Sequence, residues 1–132
     1  MNKLITIIIP CYNEINTIES IILKIHKLDL NKQIILIDDG SNDGTSELID
    51  EKLNEYIDIF VKKKNEGKGS AIIAAKEYIK GDIVIIQDAD LEYDPNDYNN
   101  LIEPIIKKKT RVVYGSRVLG KNRYLANNFS SI

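Results

Sequence analysis

Asp88, Asp90, Glu92 and Asp94 stand at every second position, directly after Gln87 and the apolar run Ile83–Ile86. A short Ile/Val run of this kind reads as a buried strand, so the acids crowd at one strand end. Two carboxylates about 5 Å apart repel by roughly 3 kcal/mol at an effective dielectric of about 20. Either one takes up a proton or a cation sits between them. Hard oxygen ligands select Mg²⁺ or Mn²⁺, ions that commonly bridge to phosphate. The bland alternative is a solvated acidic loop that caps the next helix, and Asp94-Pro95 fits it as a turn opener.

Four other stretches carry polar chemistry after an apolar run: Pro10-Cys11-Tyr12-Asn13-Glu14, Asp38 to Thr45, Asn65-Glu66-Gly67-Lys68-Gly69 and Gly115-Ser116-Arg117. A carboxylate at Asp38 or Asp39 can accept from a ribose hydroxyl or a base N–H. The alternative for this stretch is a helix cap by Asp43 or Ser41, with Gly40 and Gly44 allowing a positive-φ turn. "NEGKG" can act as a phosphate loop, with backbone N–H groups of Gly67 and Gly69 at a helix start and Lys68 adding charge. It is not a Walker A sequence, and a simple turn reads equally well.

The elements that must position these groups follow from periodicity. Leu4–Ile9, Ile34–Ile37, Ile57–Val61, Ile83–Ile86 and Val112–Tyr114 read as buried parallel strands. Between them Ile18, Ile21, Ile22, Ile25 and Leu28 form a helical stripe, and Asn16 with Glu19 resembles a capping box. Further helices are expected from Thr45 to about Tyr56, from Gly69 to about Tyr78, and from Tyr98 to about Lys108, where Pro104 predicts a kink or late start. This alternation predicts an α/β fold with a doubly wound, mostly parallel sheet. In such sheets ligands bind outside the carboxyl ends of the strands, where the five polar stretches fall.

The chain has 132 residues, 43% hydrophobic and 29% charged, which suits one domain with a real core. A net charge of -2 gives no basic field for nucleic acid. The single cysteine, Cys11, excludes an intramolecular disulfide and fits a reducing, cytoplasmic setting; it reads as a small buried residue. No apolar run approaches the roughly 20 residues of a membrane span. Lys62–Lys64 and "KKKTR" at 107–111 read as solvated ends of elements, with weak attraction to an anionic membrane face as the functional alternative. One histidine, His26, allows no Ser/His/Asp or Cys/His constellation; it reads as surface or helix-end support.

Taken in order, "IIIPCYNE", "LIDDGSNDGT", "NEGKGSA", "QDADLEYDP" and "YGSR" resemble family 2 glycosyltransferases of GT-A fold. The likeness is greatest to the dolichyl- or polyprenyl-phosphate mannosyl- and glucosyltransferase branch, and it covers residues 4 to 120. The resemblance implies that Pro10, Tyr12 and Glu14 hold the nucleotide base and ribose, with Ile37 and Asp39 as further nucleotide contacts. Lys68 matches a position near the sugar nucleotide. Asp88-Ala89-Asp90 matches the family's DxD motif: Asp90 and Glu92 would ligate Mg²⁺ or Mn²⁺, while Asp88 lies by the ribose and sugar. Arg117 matches a phosphate contact. The implied reaction moves a hexose from a GDP- or UDP-sugar to a polyprenyl (dolichyl or undecaprenyl) phosphate, with inversion, at the cytoplasmic membrane face.

Two departures accompany the likeness. Glu92 stands where the branch commonly has Gln, which keeps a metal ligand and adds a charge. The family's catalytic domains also run further, so residues 1–120 are expected to be a nucleotide-sugar-binding domain and 121–132 the start of a missing acceptor-side region. That predicts marginal stability or self-association, and it keeps open a nucleotide-sugar-binding module without turnover. A receiver-type signalling domain shares the length and sheet class, but its acidic pair follows the first strand and its phospho-acceptor Asp the third.

Overall fold

The structure, a computed structural model, describes residues 3–89, Pro95 and the backbone of Arg111–Gly115. Five strands form one sheet: β1 (Ile5–Cys11), β2 (Lys32–Asp38), β3 (Ile59–Lys62), β4 (Ile83–Gln87) and β5 (Arg111–Gly115). The order is β3-β2-β1-β4-β5 and every pairing is parallel. The expected doubly wound α/β fold is therefore present. Its order is not the 2-1-3-4-5 of receiver-type sheets.

Alternation along the strands builds two core layers. Ile5, Ile7, Ile9 and Cys11 of β1 face α1 (Ile18–His26) and the segment after β2, through Ile18, Ile21, Ile22, Ile25, Ile49 and Leu53. Ile8, Ile35, Ile37, Val84 and Ile86 face α3 (Lys68–Ala75), through Ala71, Ile72 and Ala75. Each fully buried Ile contributes roughly 1.5–3 kcal/mol of transfer free energy, the main source of stability in so short a chain.

Helix boundaries depart from periodicity in three places. The helix expected from Thr45 to Tyr56 is α only at α2 (Thr45–Leu48); it widens to a π turn at Ile49–Leu53 and tightens to a 3₁₀ turn at Asn54–Tyr56. The helix after β3 likewise ends in a 3₁₀ turn at Lys76–Tyr78. The capping box at Asn16 and Glu19 is not formed: α1 starts after Thr17, and the Glu14 carbonyl accepts the Thr17 and Ile18 amides at 3.1 and 2.9 Å. The helix expected over 98–108 lies outside the described residues.

β1 runs two residues beyond its apolar pattern. Its pairing with β4 ends at Ile8↔Ile86, whereas pairing with β2 continues to Cys11↔Asp38. Pro10, which has no N–H to donate, therefore sits where one of the two ladders has already ended. From that point β1 and β4 diverge, and this is where the strand order reverses direction. Ligands of doubly wound sheets bind in such a crevice.

The amino ends of the strands hold a buried polar cluster. The Thr6 hydroxyl donates to Gln33 Oε1 at 2.6 Å, and Gln33 Nε2 donates to the Tyr78 carbonyl at 2.8 Å. The Lys80 and Gly81 amides donate back to Gln33 Oε1 and Thr6 Oγ1 at 3.0 and 2.8 Å. This cluster returns the chain from α3 into β4.

Candidate active site

Three loops meet at the carboxyl edge. The turn after β1 and the turn after β2 bind each other reciprocally. The Asn13 amide donates to Ser41 Oγ at 2.9 Å, and Asn13 Oδ1 accepts the Asn42 amide at 2.8 Å. The Glu14 amide donates to Thr45 Oγ1 at 3.1 Å, and the Asp39 amide to the Cys11 carbonyl at 2.9 Å. This exchange holds Asn13 at φ +53°, a left-handed conformation that Asn tolerates better than most residues. Tyr12, 42% exposed, is left facing outward with Glu14 half-buried beside it.

Most acids of the second turn are committed to the fold. Asp38 is buried and accepts the Ser41 hydroxyl at 2.5 Å and the Ser41 amide at 3.3 Å. Asp43 accepts the Thr45 amide and hydroxyl at 3.0 and 2.5 Å and the Ile15 amide at 3.4 Å, so it braces the turn into α2, whose N-cap position is Gly44 and not Asp43. Burial opposes its ionisation, yet these donors hold its carboxyl below the ordinary range. Ser41 does not cap the helix; it serves Asp38. Cys11 is buried; burial first and the Asp38 charge second push its thiol far up, so it is not a nucleophile.

Asp39 reaches the third loop. Its Oδ1 accepts Lys63 Nζ at 2.9 Å and the Glu66 amide at 3.0 Å, and its Oδ2 accepts the Gly67 amide at 2.9 Å. Burial would raise its pKa, but these donors outweigh it and lower the value from 3.8. Of the two amides read as candidates for a phosphate loop, that of Gly67 is thus taken by an internal carboxylate, which favours the turn reading of "NEGKG" at that residue. A carboxylate has about four lone-pair sites, so Asp39 keeps one on Oδ2 for a ligand N–H or hydroxyl.

Lys68 opens α3 and its ammonium pairs with Asp88, the residue after β4. Asp88 is 13% and Lys68 44% exposed in their side chains, so the pair borders solvent at the crevice mouth. On the other side of the crevice the Thr17 hydroxyl donates to the Ala89 carbonyl at 2.5 Å and lies 3.1 Å from Glu14 Oε2. Thr17 thereby ties the start of α1 to the chain leaving β4, across the divergence of β1 and β4.

Of the residues singled out in the sequence, Pro10, Tyr12, Glu14, Asp39, Lys68, Asp88 and Ala89 gather at this edge. Ile37 lies at the same edge, but its side chain is fully buried against the α3 layer. Asp90, Glu92 and Arg117 lie outside the described residues. Among the described residues no group of three His, Cys, Asp or Glu side chains could hold a metal ion, and no helix is long and apolar enough to cross a membrane.

Two contributors escaped sequence reading. Lys63 was expected to be a solvated strand end, yet its side chain is only 14% exposed. The signal was there: Asp38 registers with Lys62 across β2 and β3, so the next residues, Asp39 and Lys63, face each other. Thr17 gave no signal, because its partner is a backbone carbonyl 72 residues away.

The model of the family described as Glycosyl transferase family 2 matches residues 6–129. An undecaprenyl-phosphate 4-deoxy-4-formamido-L-arabinose transferase of Aeromonas hydrophila is 36% identical over 109 residues, 76% of this chain and 33% of the relative. A dolichol-phosphate mannosyltransferase of Pyrococcus furiosus is 34% identical over 116 residues, 86% of this chain and 33% of the relative. The chain thus spans about one third of the length of these relatives. Among solved structures, a mannosyltransferase of Pyrobaculum calidifontis in complex with GDP-Man and Mn²⁺ superposes with a TM-score of 0.63 and 28% identity, over 70% of this chain and 29% of the other. Glucosyl-3-phosphoglycerate synthase of Mycobacterium tuberculosis, in complex with Mn²⁺, UDP and glucosyl-3-phosphoglycerate, gives 0.66 and 27%, over 80% and 40%. With a family model spanning residues 6–129, nearly the whole sequence, the chain belongs to glycosyl transferase family 2.

Proposed function

We propose that the chain is the donor-binding part of a glycosyltransferase that moves a hexose from a nucleoside diphosphate sugar to a polyprenyl phosphate. The observation that carries this reading is the Lys68–Asp88 pair at the mouth of the β1/β4 crevice, bordered by Tyr12, Glu14 and Asp39. It sets a cation and an acid where a diphosphate and a sugar would meet, beside an exposed ring for the base. Tyr12 stacks on the base, and Glu14 and the remaining lone pair of Asp39 accept from ribose or base donors. Pro10 shapes the floor, Ile37 supports it from within the core, and Arg117 meets phosphate.

Asp88 is already met by an ammonium, so this strand end is built to hold positive charge, and its oxygen-only donors suit a hard divalent ion. Asp90 and Glu92 would hold Mg²⁺ or Mn²⁺, as the relatives' complexes with Mn²⁺ suggest. Held there, such an ion would supply charge neutralisation for the departing diphosphate. The acceptor phosphate oxygen is ionised at neutral pH and attacks the anomeric carbon as the bond to the diphosphate breaks, which inverts the centre. No strong base is required, in keeping with a site whose acids are hydrogen-bonded or ion-paired.

The lipid phosphate acceptor places the working protein at a membrane surface, where the lysine-rich segments assist. Calorimetry with Mn²⁺ and GDP-Man or UDP-Glc tests the donor half of this reading: absence of binding to either overturns it. Transfer of labelled sugar to polyprenyl phosphate tests the rest. Binding without transfer would identify this chain as a nucleotide-sugar-binding module.

A further inference from the structure

We propose that Lys63 is a positioning residue that latches the turn Glu66-Gly67 onto Asp39 and so presents Lys68 to Asp88. The inference deepens the donor-site reading above and rests on it only for the consequence in binding. An ammonium has three hydrogens. Lys63 directs them at Asp39 Oδ1, 2.9 Å, the Lys64 carbonyl, 2.7 Å, and Glu66 Oε1, 3.1 Å. None is left for a ligand, so a direct role in binding a diphosphate is closed to it.

The same cation touches all sides of the turn. Asp39 alone would draw the Glu66 and Gly67 amides to its two oxygens, but it would do so as an uncompensated buried anion. Lys63 supplies the compensating charge and also ties down the Glu66 side chain. Packing completes the clamp: a Cβ on Gly40 would lie 2.7 Å from the Asn65 nitrogen, so the turn rests directly on the backbone after Asp39. Gly67 at φ +101° is the N-cap of α3, and Lys68 is its first residue. Fixing the Gly67 amide therefore fixes the direction in which Lys68 leaves the helix. The chain of contacts runs Lys63, Asp39, Gly67, Lys68, Asp88, and it links β3 to β4 without any contact between those strands in the sheet.

The test uses the 132-residue chain without ligand. In Lys63→Met the Glu66 and Gly67 amides should exchange with solvent about tenfold faster, while Ile7 and Ile35 amides in the core stay as in the parent. Acetylation of Lys68 by limiting reagent, read by mass spectrometry, should rise several-fold as its ion pair loosens. Lys63→Arg should restore both, which a loss of bulk or general stability would not predict; Lys63→Gln serves if the Met variant does not fold. Unchanged exchange at Glu66 and Gly67, or unchanged Lys68 labelling with faster exchange, overturns the proposal. Binding of GDP-Man or UDP-Glc with Mn²⁺ then separates the two readings. The proposal predicts that Lys63→Met weakens binding in the parent but not in a Lys68→Met background; equal losses in both overturn it. If the parent binds neither donor, the functional reading fails while the exchange and labelling results still decide the latch.

Discussion

Lys68 and Asp88, 20 residues apart, form an ion pair between the first turn of α3 and the end of β4. The pair means that Asp88 already carries a counter-charge before any metal or nucleotide arrives. A donor diphosphate must compete with Asp88 for Lys68, and freeing Asp88 would add its negative charge near the ion site proposed at Asp90 and Glu92. Lys68→Met is expected to weaken binding of a nucleoside diphosphate sugar by about tenfold, because an anionic ligand loses its cation. The same variant is expected to strengthen binding of Mn²⁺ alone, since Asp88 is freed. Titration calorimetry with each ligand separately measures both; a loss of both affinities argues against competition.

Thr17 is expected to matter out of proportion to its size. Thr17→Val keeps the shape and removes the donor to the Ala89 carbonyl, an interaction of about 1 kcal/mol with a larger penalty if the carbonyl stays dry. The midpoint of thermal unfolding should fall by a few degrees, about 4 °C per kcal/mol in a domain of this size. Thr17→Ser should recover most of it. The Mn²⁺-dependent part of donor binding should fall more than the part that survives chelation, because Ala89 lies inside the acidic motif.

Acid should loosen the edge before the core. Asp39 and Asp43 have folded pKa values lowered below 3.8, so the stability they contribute is fully present above that value. It is lost as pH falls below 3.8 through their folded values. Lys63 has its pKa raised from 10.5, chiefly by its hydrogen bond to Asp39, so its share is present below 10.5 and lost as pH rises beyond it. Denaturant midpoints followed from neutral to acid pH should drop below about pH 4, and Asp39→Asn should flatten the drop. An unchanged acid profile in Asp39→Asn would sink the assignment of Asp39 as the responsible group.

Two glycines give a contrast in sign. Gly40 has φ +81°, and a Cβ there meets the Asn65 backbone nitrogen at 2.7 Å. Gly40→Ala should destabilise by at least about 1–3 kcal/mol and disturb the site. Gly69 lies inside α3, and a Cβ there would touch nothing within 4 Å. Gly69→Ala should stabilise by about 0.5–1 kcal/mol. Urea denaturation of both variants reads the difference directly.

The strands were legible because buried parallel strands leave an uninterrupted Ile/Val signature, and all five fall within about two residues of where periodicity put them. The helix segment at 45–56 was legible as an element, which buries Ile49 and Leu53, but not as a pitch. Periodicity records which side chains point inward, and a π turn keeps them there. The site was legible as a set of strand-end residues. What could not be read was the division between residues that bind and residues that brace. Asp38, Asp43 and Lys63 look as chemical as Asp88 in sequence. They differ only in that neighbouring loops already satisfy them, which depends on strand order.

The strand order also sets a timetable for folding. β1 joins β2 locally, but it joins β4 only after the intervening chain has folded back, as in the bond from the Leu4 amide to Asp82 Oδ2 across 78 residues. Such non-local pairings form late. Lys68 meets Asp88, and Thr17 meets Ala89, only once that closure is complete. Binding competence should therefore appear in the last kinetic phase of refolding, after most of the helical signal has returned.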